Sequence, residues 1–143
     1  MRPIYERTKN RIAQRKVARK LERKWAVDSY ELPLLAGIDF VLCHCDEVVA
    51  LLEVKCRDNP RAQYKSFMIG RAKIDRLVQC AEICRVAPIL AVQWTDQLGW
   101  INPAELQPTH YGPGGRTDRG DDADMEECAF FSPAAFTQWQ LRW

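Results

Sequence analysis

Asp39 and, after 13 intervening residues, Glu53-Val54-Lys55 form the combination in this chain best suited to chemistry. Within a strand, residues two apart share a face, so Glu53 and Lys55 project side by side. A hairpin returning from Asp39 sets its carboxylate next to them. Two converging carboxylates make a hard-oxygen site suited to Mg²⁺ or Mn²⁺. Such an ion would polarise a phosphate oxygen and acidify a bound water. Lys55 would offset the acid–acid repulsion and orient that water or stabilise charge on phosphorus. The plain alternative is an ion pair closing a strand end. Against it, Val48-Val49-Ala50-Leu51-Leu52 is apolar throughout, and unpaired charge at the end of such a run is costly.

Two further residues are directed at the same focus. Glu22 lies on the margin of a helical apolar stripe, near Ala18 and Trp25, and is the candidate third carboxylate; Glu6 ranks behind it. Lys73 falls within an apolar helix face, four before Leu77 and eight before Ala81. A lysine there wants a carboxylate or phosphate partner, or snorkels to water.

The elements that must hold these groups follow from periodicity. Residues 4–26 read as one helix, with Ala13, Val17, Ala18, Leu21 and Trp25 on one stripe. Pro33 marks Ser29–Leu35 as an edge strand or an approach segment. Ile38–Cys45 and Val48–Lys55 form a hairpin about Asp46-Glu47, and Arg57-Asp58-Asn59-Pro60 is a turn. A helix over Phe67–Arg85, a strand Ile89–Trp94 and a short partner Leu98–Ile101 come next. Residues 107–127, rich in Gly, Pro and acids, read as a surface loop; Cys128–Phe131 reads as an edge strand. Ser132-Pro133 caps a short C-terminal helix bearing Phe136 and Trp139. Helix, strands, helix, strands implies a single α/β domain over residues 1–143 with a mixed central sheet flanked by helices.

The chain has 143 residues, of which 47% are hydrophobic and 28% charged, as expected for one domain with a real core. No apolar run is long enough to span a membrane, and the N-terminus lacks the apolar region of a secretory signal, so a cytoplasmic setting is expected. The net charge of +2 conceals an asymmetry: residues 1–25 carry ten Lys/Arg against two acids, and the rest carry 11 against 17. Arg11, Arg15, Arg19 and Arg23 recur every four residues as a basic ridge, suited to the phosphates of DNA or simply to water. Neither a helix-turn-helix nor a zinc-finger pattern supplies base readout, so shape or junction selectivity is expected. The six cysteines read as reduced, buried thiols. A zinc module on Cys43, Cys45, Cys80 and Cys84 is the lesser reading, because C-x2-C pairs are absent.

With Ile38 in place of the usual Pro, Asp39 and Glu53-Val54-Lys55 resemble the signature of the PD-(D/E)XK nuclease superfamily. The surrounding pieces resemble its small phage-encoded members over roughly residues 5–103: Glu22-x-x-Trp25, Leu32-Pro33, Lys73, Trp94-Thr95-Asp96 and Gly99-Trp100. The resemblance implies a restriction-endonuclease-like fold with an αβββαββ core, a divalent metal (Mg²⁺ or Mn²⁺) and cleavage of DNA phosphodiesters in a bacterial or phage-infected cell. It implies that Asp39, Glu53 and the Val54 carbonyl hold metal, that Lys55 is the catalytic lysine, and that Glu22 is the helix-borne acid. Arg11, Arg15, Arg19, Arg23 and Lys73 would bind DNA, and a homodimer is compatible with cutting of paired strands. The second helix carries no Gln-x3-Tyr motif of the kind seen in the exonuclease branch, since Gln79 has no Tyr after it there, which favours a structure-selective or nicking endonuclease. The competing reading is a non-catalytic DNA-binding or recombination accessory protein that keeps the fold.

Overall fold

A computed structural model describes residues 4–33, 36–115, 125–138 and 143. Helix α1 (Ile4–Trp25) leads into β1 (Asp28–Glu31), β2 (Phe40–His44) and β3 (Glu47–Cys56). Then come a 3-10 turn (Arg61–Gln63), β4 (Phe67–Gly70), α2 (Arg71–Cys84), β5 (Ala87–Gln93) and β6 (Leu98–Ile101). A hairpin of β7 (His110–Gly115) and β8 (Met125–Phe131) completes the order before a short turn at Pro133–Ala135. Among the described residues no helix is long and apolar enough to cross a membrane.

The main sheet runs β1-β2-β3-β5-β6. Only the β3–β5 pair is parallel, with α2 in the crossover between them. This is the mixed α/β sheet expected. The central strands are buried on both faces, β5 along most of its length and β3 over Ala50–Val54. On one face Leu42, Ala50, Leu52 and Val54 pack against the α1 stripe of Val17, Ala18, Leu21 and Trp25. On the other, Leu51, Leu90 and Val92 meet Ile74, Leu77 and Ala81 of α2, together with Phe67, Ile69 and Phe131 of the second sheet. Cys45 and Asp46 adopt positive φ and close the β2–β3 hairpin, one residue ahead of the expected turn.

The second sheet, β4-β8-β7, departs from expectation. Phe67–Gly70 is not the first turn of a helix; it pairs antiparallel with Cys128–Phe131, and α2 begins only at Arg71. Phe67 and Ile69 both point into the core, which is a strand's period of two. Residues 107–127 are not wholly loop, since His110–Gly115 pairs with Met125–Phe130. Gly114 permits that pairing: a side chain there would collide with Met68 and Cys128. Pro113 is tolerated because β7 is an edge strand. Residues 116–124 and Trp139 lie outside the described residues. The expected C-terminal helix is a single 3-10 turn; Phe136 is buried, and Thr137 exchanges backbone hydrogen bonds with Trp100 at the edge of β6.

Candidate active site

The β2–β3 register brings the acidic pair together. Phe40 faces Leu52 and Val41 faces Leu51, so continuing the ladder by one residue sets Asp39 opposite Glu53 on the same sheet face. β2 begins at Phe40, so β3 runs on beyond its antiparallel neighbour. The main chain of Val54 consequently finds other partners there. Its N–H donates to Asp39 Oδ2 at 2.8 Å, and its carbonyl oxygen accepts from the Gln14 amide at 3.3 Å.

Glu53 is only 3% exposed, and two lysines approach its Oε1: Lys55 Nζ at 3.5 Å and Lys73 Nζ at 3.9 Å. Burial first, and the nearby Asp39 second, push the Glu53 carboxyl up to about 6, although both lysines oppose the shift. Lys55 is pushed down to about 8, by burial and then by the charge of Lys73. The focus thus holds an acid and a base displaced toward neutrality from opposite sides. Lys73, placed by α2, stays exposed while its ammonium comes within ion-pair distance of Glu53, so it both reaches water and faces a carboxylate.

Two carboxylates and a main-chain oxygen make a hard donor set. This fits Mg²⁺ or Mn²⁺, which are commonly held by one or two carboxylates with substrate oxygens completing the shell. Among the described residues no three His, Cys, Asp or Glu side chains converge as a metal cluster. Glu22 does not supply the third. Its Oε2 accepts hydrogen bonds from the backbone N–H and the hydroxyl of Ser29, which ties α1 to the start of β1. It lies eight residues beyond Gln14, about 12 Å along the helix axis. The side chain of Glu6 lies outside the described residues.

The basic ridge also divides. Arg11 is 8% exposed, and its guanidinium is bound by Glu31, by Asp39 Oδ1 at 3.3 Å and by the carbonyl of Leu32, so it does not face a phosphate. Arg15 is exposed but held by both Glu31 oxygens. Arg19 and Arg23 are exposed. Gln14 and Arg11 were not anticipated at the site. The signal was present: Trp25, Leu21, Ala18, Gln14 and Arg11 continue one stripe at spacings of four and three. Two polar residues extending an apolar stripe mark the place where the helix leaves the core and meets polar groups. The six cysteines are free thiols, with Cys128 buried but Cys45, Cys56 and Cys84 exposed, so as a set they are not the core packing groups expected.

No curated protein matches the chain. Among solved structures it is similar to Hjc, a Holliday junction resolvase of Archaeoglobus fulgidus. The TM-score is 0.57 at 14% identity, covering 71% of this chain and 79% of that one. The likeness fixes a restriction-endonuclease-like fold. Residues 1–139 match the family described as "Phage putative PDDEXK endonuclease". With that match spanning nearly the whole sequence, the chain belongs to this family of phage PDDEXK endonucleases.

Proposed function

We propose that this chain is a divalent-metal-dependent DNA endonuclease that selects branched or nicked DNA by shape, with Asp39, Glu53 and Lys55 as its catalytic residues. The observation that carries the reading is the convergence of Asp39 with the buried Glu53–Lys55 pair where β3 runs past β2. Asp39, Glu53 and the Val54 carbonyl would hold Mg²⁺ or Mn²⁺, whose contribution when bound is Lewis acidity at the scissile phosphate. Lys55 stabilises the negative charge that develops on the phosphoryl oxygens. Displaced to about 8, it also exchanges a proton with the attacking water close to neutral pH. Lys73 keeps Lys55 in that range and adds positive charge beside the acids. Arg11 and Gln14 position Asp39 and the Val54 carbonyl from α1. The sequence carries neither a helix-turn-helix nor a zinc-finger pattern, which supports selection by shape.

The test is cleavage of branched, nicked and supercoiled DNA with Mg²⁺, with Mn²⁺ and with chelator. Wild type should cut a branched or nicked substrate only with metal, and Asp39→Asn and Lys55→Ala should each lose at least about 100-fold in rate. Equal cutting by all three proteins overturns the assignment. Salt-sensitive binding without cleavage under any metal would instead establish a non-catalytic binding protein.

A further inference from the structure

Beyond the catalytic residues, the continuation of β3 forms one wall of an open cleft of about 480 Å³. That volume lies within the range of about 300–1,000 Å³ typical of small-molecule sites. Arg57, Tyr64, Lys65, Met68 and Phe130 contribute to its lining. We propose that this cleft is a subsite for one nucleobase unstacked from the bound DNA strand, with Tyr64 as the stacking wall and Lys65 on the adjoining phosphate. The proposal rests on the nuclease reading above and adds to it a means of recognising unpaired nucleotides.

Three observations carry it. The first is chemistry. Tyr64 is a large aromatic residue left 58% exposed at the cleft, and Phe130 lines it with its ring held by His110, stacked nearly parallel at 4.4 Å. Flat aromatic walls beside lysine and arginine are the recurring chemistry of single-strand binding, since every base offers a π-face. The second is rigidity. Arg61 donates to the carbonyl oxygens of Pro133 and Phe136 and to Gln97, while Arg57 donates to Met68 O and lies 4.8 Å from the Phe67 ring centroid. These two guanidinium groups brace the floor, and the exposed Lys65 is left at the rim. The third is placement. Arg57 stands two residues past Lys55, about 7 Å of extended chain, or roughly two nucleotide steps at 3.4 Å each. A strand leaving the site along this direction would bring a base toward the cleft.

The test measures equilibrium binding by full-length Asp39→Asn protein, in which cutting is expected to be slowed. Its probes are a duplex with a three-nucleotide unpaired segment and a fully paired duplex of equal length. Replacing Tyr64 by Ala in this background should reduce the preference for the unpaired segment about tenfold, whereas Tyr64→Phe retains it. Lys65→Gln should lower the salt dependence of binding by about one phosphate contact. Tyr64 lies on the surface, and thermal unfolding of each variant checks that the fold is intact. An unchanged preference in a folded Tyr64→Ala protein overturns the subsite, even if wild type cuts DNA as proposed. A lost preference in Tyr64→Ala, together with a wild type that never cuts, retains the subsite and removes the nuclease reading instead.

Discussion

Arg11 shows how far a single residue's role depends on its surroundings. In the sequence it is the first of four arginines spaced by four, and that spacing describes a solvent-facing ridge. In the structure its guanidinium is almost wholly enclosed, bound by two carboxylates and a carbonyl, and placed 5.9 Å from the Phe40 ring centroid. Removing one partner from an enclosed network leaves the others desolvated and unpaired, which typically costs several kcal/mol. Arg11→Met should therefore lower the unfolding free energy by about 3 kcal/mol, measured by urea denaturation. Arg11→Lys should recover only part of that loss, because an ammonium cannot serve Glu31, Asp39 and the Leu32 carbonyl with the geometry of a guanidinium fork. A neutral effect of Arg11→Met would show that Asp39 does not depend on this contact.

At the scale of elements, β1 is a four-residue edge strand fastened to α1 at both ends: by Ser29 on Glu22, and by Glu31 on Arg11 and Arg15. The hydrogen bond from Arg15 is the main cause that holds Glu31 below the usual carboxylate range. A carboxylate whose folded pKa lies below its unfolded value contributes stability above the unfolded pKa and loses it as pH falls through the folded one. Wild type should thus exceed Glu31→Gln in stability by a constant margin above about pH 5, and that margin should disappear on further acidification, followed by thermal unfolding. A margin independent of pH would assign the effect to packing. This fastening was illegible in the sequence because it joins residues 7, 16 and 20 apart whose pairing depends on where β1 starts and ends. The β2–β3 hairpin was legible, because Ile38–Cys45 and Val48–Lys55 carry strand composition in themselves. The second sheet was not: His110-Tyr-Gly-Pro-Gly-Gly115 has no alternation, and it becomes a strand only because β8 pairs with it and its glycines admit Met68 and Cys128.

For the whole molecule, the question is which part of the N-terminal positive charge remains available to DNA once the chain has folded. Folding withdraws the first two members of the arginine ridge: Arg11 is internal and Arg15 is neutralised by Glu31, while Arg19 and Arg23 stay exposed. On the proposed function, the contact of α1 with a polyanion would therefore fall toward its C-terminal half, away from the turn that carries Gln14 to the site. Each phosphate neutralised on duplex DNA contributes about −0.9 to the slope of log K against log salt. Replacing Arg19 and Arg23 together by Gln should reduce the magnitude of that slope by about two, measured by fluorescence anisotropy between 50 and 200 mM salt, a range of the order in which such effects are large. Arg15→Gln should change it by much less, because its charge is already spent within the protein. A larger effect from Arg15 than from the Arg19–Arg23 pair would mean that DNA displaces Glu31 on binding, and that β1 is released from α1 when the substrate arrives.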